Sequence, residues 1–221
     1  KEQFSRPQVA MGIVLDRSGS MSATMAGGRS KMQLANRAAT EAVSLLADKD
    51  QVTVFAVDSE ANTVVPLTRL GEDRGAVTND ILTIESGGGG IYDYNGLHAA
   101  VSELLGSEAP TRHNLLFADA ADTEQPSKYK GLVKKWTEAG GTLSVVGLGK
   151  DTDRDAGLLK DIAGRGGGTA MFTSDPKNLP RVFCQDAMRV ARKTFLEQMT
   201  GVDLTPAVGR LGKLDVDGFP S

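Results

Sequence analysis

Asp16, Ser18 and Ser20 occupy alternate positions of one short stretch, Asp16-Arg17-Ser18-Gly19-Ser20-Met21, directly after the apolar run Val9 to Leu15. A carboxylate and two hydroxyls are hard oxygen donors, a set that suits Mg2+, Mn2+ or Ca2+ rather than zinc or copper. Gly19 permits the tight turn that would make the three converge. An Mg2+ ion takes about six oxygens, more than this turn holds. Further donors are expected from Asp119, which ends a later apolar run, and from the glycine-rich stretch that carries Asp93 and Asn95. If the shell still falls short, water or an outside oxygen completes it, so such an ion would recruit an acidic partner. The alternative is a capped turn, in which the same carboxylate and hydroxyls accept backbone N–H bonds.

Catalytic readings find fewer of their parts. Ser20 is flanked as Gly19-Ser20-Met21-Ser22-Ala23, which is not a nucleophile elbow, and neither His98 nor His113 follows a strand end where a triad partner would stand. Both histidines are expected at surface or capping positions. A Mg2+-dependent phosphatase with Asp16 as nucleophile shares the ion and the strand-end acid, but Ser18 stands where a second acid would be needed. No G-x-G-x-x-G follows the first strand, and the glycines around Arg165 precede a strand instead of opening a helix, so phosphate cradles are excluded. Tyr92 and Tyr94 sit close enough to the proposed ion to serve as contact anchors. Asp58, ending the second strand, reads as a turn residue.

The elements that must position these groups alternate along the chain. Apolar runs Val9 to Leu15, Val52 to Val57, Leu115 to Ala118, Leu143 to Leu148 and Thr169 to Thr173 read as strands. Thr63 to Leu67 is another, placed at an edge because Pro66 has no N–H for a ladder. Ser30 and Gln33 form a capping box before the helical face Ala35, Ala38, Ala39, Ala42, Leu45 and Leu46. Further helices are expected over Arg74 to Leu82, around Leu97 to Leu105, over Ser127 to Ala139, Asp155 to Ala163, and from about Leu179 to Phe195. This order predicts a doubly wound, mainly parallel six-stranded α/β sheet with one antiparallel edge strand and helices on both faces. In such a sheet ligands collect outside the carboxyl ends of the strands, where Asp16 and Asp119 fall.

Composition narrows the function classes. The chain has 221 residues, 40% hydrophobic and 24% charged, which excludes a mainly disordered chain. A net charge of -3 gives no electrostatic reason to expect binding to nucleic acid or anionic lipid, and no basic stripe is visible along the sequence. Cys184 is the single cysteine, so neither an intrachain disulfide nor a cysteine-rich zinc site can form. No apolar run approaches the roughly 20 residues that span a bilayer, and no signal-peptide pattern is present. The start at Lys1 and the irregular pattern of residues 199–221 are read as a domain over 1–198 followed by a tail or truncated neighbour, cut from a larger polypeptide.

The run Asp16 to Met21 matches D-x-S-G-S-M, the signature of the metal-ion-dependent adhesion site in von Willebrand factor type A domains. From about Val9 to Phe195 the chain resembles that family, bacterial members included, with the glycine-rich loop and Asp119 in place. The resemblance implies a Rossmann-like fold in which Asp16, Ser18, Ser20 and Asp119 hold a divalent cation directly or through water. It also implies a non-catalytic module that binds a protein partner through that partner's Glu or Asp. The family's threonine before the third helix is missing; Asn95 replaces it by position, with Asp93 as the alternative. A structural domain with a degenerate, metal-free site is the competing expectation. The resemblance to bacterial members within membrane-associated polypeptides leaves the compartment open and implies, as one expectation, a membrane-associated parent with this domain at its extracytoplasmic face.

Overall fold

The computed structural model describes residues 6–25, 27–90, 92–119, 128–154 and 156–196. Strands β1 (Val9–Asp16), β2 (Gln51–Val57), β3 (Ala61–Arg69), β4 (Thr111–Asp119), β5 (Thr142–Leu148) and β6 (Gly167–Thr173) form one sheet in the order β3-β2-β1-β4-β5-β6. All pairings are parallel except β2 with β3, which is antiparallel and carries Pro66 on the outer edge as the sequence predicts. The helices are α1 (Lys31–Ser44), α2 (Arg74–Leu82), α3 (Asp93–Leu104), α4 (Tyr129–Glu138), α5 (Ala156–Arg165) and α6 (Leu179–Leu196).

Strand periodicity divides the core in two. Val9, Met11, Ile13 and Leu15 of β1 face one way and pack with α1, α2 and α6. Ala10 and Val14 face the other way and pack with α3, α4 and α5. β1 is buried at every position and apolar up to Leu15 because helices cover both faces, as parallel strands in such sheets require. Trp136 and Tyr129 are buried in the second cluster, in agreement with their expected packing on the sheet.

Local signals set the boundaries. The capping box at α1 is formed: Gln33 N–H donates to Ser30 Oγ (3.1 Å) and Ser30 N–H to Gln33 Oε1 (3.0 Å). At the other end of α1, Arg74 donates to the carbonyls of Val43 and Leu46, both at 2.9 Å, and so ties α2 to it.

Several elements run a residue or two beyond the sequence reading, among them β3, β6 and α5, and two starts, those of β4 and α3, differ by more. β4 begins at Thr111, earlier than the apolar run, because a central strand between β1 and β5 holds Arg112-His113-Asn114 in its ladders, with Thr142 and Asp186 bonding the buried His113 ring. Helix α3 begins at Asp93, with Tyr92 as its N-cap, so Asp93 and Asn95 lie in the first helical turn instead of a loop. Gly96 allows this start to lie close on the sheet: a Cβ there would come within 2.4 Å of Val57 Cγ2 and 2.5 Å of Val14 Cγ1.

Candidate metal centre

β1 and β4 are neighbours, so the C-terminal end of β1 at Asp16 and that of β4 at Asp119 lie at the same rim of the sheet. Asp119 is paired through its backbone register with Leu148 of β5. Asp16 and Ser18 are buried, at 1% and 3% exposure, and Ser20 is open to solvent. The chain passes from β1 into a single 3-10 turn over Gly19–Ser22, held down by fully buried Met21.

The turn gathers its oxygens. Asp16 Oδ1 accepts the Ser18 N–H at 2.7 Å, which fixes the carboxylate over the turn. Ser18 Oγ and Ser20 Oγ are 3.1 Å apart. The three residues predicted as a set are therefore together, and the backbone bond to Asp16 shows that the capped-turn geometry is present as well.

Neighbouring loops are fastened to this turn. Arg17 N–H donates to the Val57 carbonyl (2.8 Å), and Gly87 N–H donates to the Arg17 carbonyl (2.6 Å). The Arg17 Nε to Asp58 Oδ2 ion pair spans 2.7 Å and is partly shielded from water. Burial would raise the Asp58 pKa, but the Glu60 N–H and the Arg17 guanidinium outweigh it and hold the carboxyl below the usual range. Asp58 is thus a strut, in keeping with its expected place in a turn. Tyr92 N–H reaches the Asp58 carbonyl at 3.2 Å, so the head of α3 is joined to the same corner.

Asn95 and Asp93 take different places in that first turn. Asn95 is half-buried and donates its Nδ2 to the Ser59 carbonyl at 3.2 Å, whereas Asp93 is buried at 8% exposure. Tyr94 lies 5.9 Å from the His98 ring and beneath Lys128 Nζ, also at 5.9 Å, which joins α3 to the start of α4. Among the described residues no group of three His, Cys, Asp or Glu side chains is placed to hold a metal ion.

His113 is the clearest departure from expectation. It lies inside β4, fully buried, with Nε2 2.8 Å from Asp186 Oδ2 and Nδ1 2.7 Å from Thr142 Oγ1. It belongs to the opposite end of the sheet from Asp16, where it joins α6 to the strands. No local signal in the sequence marks this role, because its carboxylate partner is 73 residues away.

A doubly wound α/β sheet of this strand order, with Asp16, Ser18 and Ser20 gathered at its rim, is a Rossmann-like fold. More particularly, the family model for the von Willebrand factor type A domain matches residues 11–121, and the chain belongs to that family. Among curated proteins, no sequence matches it. Solved structures share the fold. The conserved hypothetical protein BatB from Bacteroides thetaiotaomicron is 20% identical with a TM-score of 0.70, the alignment covering 83% of this chain and 99% of that one. A von Willebrand factor type A protein from Catenulispora acidiphila is 24% identical with a TM-score of 0.72, covering 84% of this chain and 43% of that one. Proximal thread matrix protein 1 from the mussel byssus, in a structure with a zinc-occupied adhesion motif, is 17% identical with a TM-score of 0.69, covering 84% of this chain and 46% of that one.

Proposed function

We propose that this domain is a non-catalytic protein-binding module that holds Mg2+, or Mn2+ or Ca2+, at the rim of the sheet and uses it to bind an acidic residue of a partner. Asp16, Ser18, Ser20 and Asp119 are the ligands in this reading. Asn95 contributes its amide oxygen, its nitrogen being engaged by Ser59, and Asp93 is the other oxygen source in the same turn.

The observation that carries the reading is the approach of Ser18 Oγ to Ser20 Oγ beside the Asp16 carboxylate. Adjacent oxygens on an octahedral Mg2+ with ordinary bond lengths are about 2.9 Å apart. The 3.1 Å between the two hydroxyls is close to that separation. When bound, the cation supplies a positive centre with a coordination position for a carboxylate. The chain's own part is to fix the donors: Met21 anchors the turn, Asp16 is oriented by Ser18 N–H, and the Arg17–Asp58 pair holds the surrounding loops.

The mussel protein's zinc-occupied motif supports metal use by this fold, and the identity of the ion here is part of the proposal. Among the described residues no helix is long and apolar enough to cross a membrane. A structural neighbour from Bacteroides fragilis is described as an aerotolerance-related membrane protein. That likeness supports a place for this domain, over residues 1–198, within a membrane-associated parent at an extracytoplasmic face. Residues 197–221, which include the tail expected from 199, lie outside the described residues.

The test is a thermal titration with Mg2+, Mn2+, Ca2+ and Zn2+. An ion at about 100 times its Kd adds roughly 2.7 kcal/mol. For a domain of this size that raises Tm by about 5–10 °C. Asp16→Ala should abolish the shift. Equal shifts in the wild type and Asp16→Ala would refute the ion site. No shift with any ion would favour the metal-free structural reading, for which the Asp16 to Ser18 turn bond is the supporting observation.

A further inference from the structure

The two edges of the sheet are protected unequally. At β3, Pro66 removes a donor and the pairing with β2 is irregular, devices that discourage a further strand. At the other edge β6 reads Gly-Gly-Thr-Ala-Met-Phe-Thr, without proline or charge. Among the described residues no segment pairs with its outer side.

The direction of its backbone groups follows from two bonds. Gly149 N–H donates to the Thr173 carbonyl at 2.8 Å, and Thr169 N–H donates to Ser144 Oγ at 3.2 Å. Thr169 and Thr173, and Met171 between them by the two-residue period, thus aim their backbone groups at β5. Ala170 and Phe172 aim theirs away from the sheet. Beside them runs a trough of about 520 Å³, lined by Lys150, Asp151, Lys160, Ala170 and Phe172 among others.

Cations flank this edge on both faces. Lys160 lies 5.5 Å from the Phe172 ring centre, donates to the Asp151 carbonyl at 2.7 Å and is 3.6 Å from the Asp151 carboxylate, the one acid lining the trough among the described residues. Lys150 stands beside it. On the face covered by α6, Arg189 reaches Thr169 Oγ1 and pairs with Asp186. A strand added here would project alternate side chains toward each set of cations. A second copy paired through the same edge would bring these like charges together, which disfavours it.

We propose that the outer edge of β6 is a second interaction surface, which takes an extended acidic segment of a partner protein as an added strand, its backbone bonding to Ala170 and Phe172 and its acids facing Lys150, Lys160 and Arg189. This surface does not depend on the ion site.

The probe is a fluorescein-labelled, end-blocked peptide repeating Val-Val-Glu-Glu, which puts glutamates on both faces of an extended strand, titrated into the intact chain in EDTA so that the ion site cannot contribute. Amide exchange is followed by NMR. Binding should slow exchange at Ala170 and Phe172 by about tenfold or more, with smaller changes elsewhere. Lys150→Glu combined with Lys160→Glu should weaken binding about tenfold, the sum of two modest charge contacts. Ala170→Pro removes an outward donor without touching the β5 ladder and should abolish binding. Should that variant fail to fold, a peptide N-methylated on its pairing face serves the same purpose and should not bind. Equal binding of a valine–lysine peptide or of the N-methylated peptide would overturn the proposal. So would protection at Ala170 and Phe172 that rises with protein concentration in the absence of peptide, the result expected if a second copy occupies the edge.

Discussion

His113 Nε2 meets Asp186 Oδ2 at 2.8 Å across the boundary between β4 and α6, with both side chains at 1% exposure or less. Asp186 also takes the Arg189 guanidinium at 3.0 Å, and Arg189 reaches on to Ser144 of β5 at 2.6 Å. One carboxylate therefore fixes the last helix to two central strands, at the end of the sheet opposite the candidate metal centre.

Removing Asp186 should be costly. Burial alone would raise its pKa, but the facing His113 and the hydrogen bonds of the network outweigh it, so the carboxyl is held below its ordinary value. A depressed folded-state pKa contributes stability that is present above the unfolded value, about 3.9, and lost as pH falls through the folded one. Asp186→Ala should lose about 3–5 kcal/mol at neutral pH, because buried polar partners are left uncompensated. Urea melts from pH 7 downward should show a shallower acid loss below pH ~4 in Asp186→Asn than in the wild type. An unchanged acid limb would remove Asp186 from this role.

Ser18 and Ser20 separate ion binding from folding. Ser20 is exposed, so Ser20→Ala should change stability in EDTA by no more than about 0.5 kcal/mol. Mn2+ affinity, followed by electron paramagnetic resonance, should nevertheless fall at least about tenfold in Ser20→Ala and in Ser18→Ala. Undiminished affinity in both would mean that the hydroxyls only bond to each other.

The Arg17–Asp58 pair should matter more to ion affinity than to stability. Its partly buried geometry is worth about 1 kcal/mol, so Arg17→Ala should unfold slightly earlier in urea. The same change leaves the backbone bonds to Val57 and Gly87 in place but cuts the side-chain tie from the turn to Asp58, whose carbonyl holds Tyr92 at the head of α3, so the donors lose part of their prior arrangement. Calorimetry with Mn2+ should show a larger loss in binding free energy than in folding free energy. The reverse ranking would assign the pair to the fold alone.

What could be read from the sequence was what local chemistry determines. The apolar β1, the capping box at Ser30, the helix over Arg74–Leu82 and the edge assignment from Pro66 each depend on neighbours within a few residues, and each matches the structure. Asp16, Ser18 and Ser20 were legible as a set for the same reason. The start of β4 was hidden because His113 and Asn114 are polar, and only the fold supplies Thr142 and Asp186 to His113. The start of α3 was hidden because Asp93-Tyr94-Asn95 carries no apolar stripe. Its place is set by Gly96 packing on Val14 and Val57, a contact between distant segments.

Asn114 is the least satisfied group of the central sheet, and it tests how tightly that sheet is packed. It is fully buried in β4, and neither its Nδ2 nor its Oδ1 has a hydrogen-bond partner among the described residues. Its amide occupies the space that a side chain at Gly12 of β1 would need, since a Cβ there would lie 2.1 Å from Asn114 Oδ1. Gly12→Ala should therefore cost about 1–3 kcal/mol through overpacking. Asn114→Val removes the unsatisfied amide and should be neutral or stabilising by about 1 kcal/mol. In a double-mutant cycle, Asn114→Ala should relieve most of the Gly12→Ala penalty, with a coupling of at least about 1 kcal/mol between the sites. Additive losses would show that Gly12→Ala is destabilising for a reason other than this contact. A large loss in Asn114→Val would show that the amide has a partner, such as a buried water, that makes its polarity favourable.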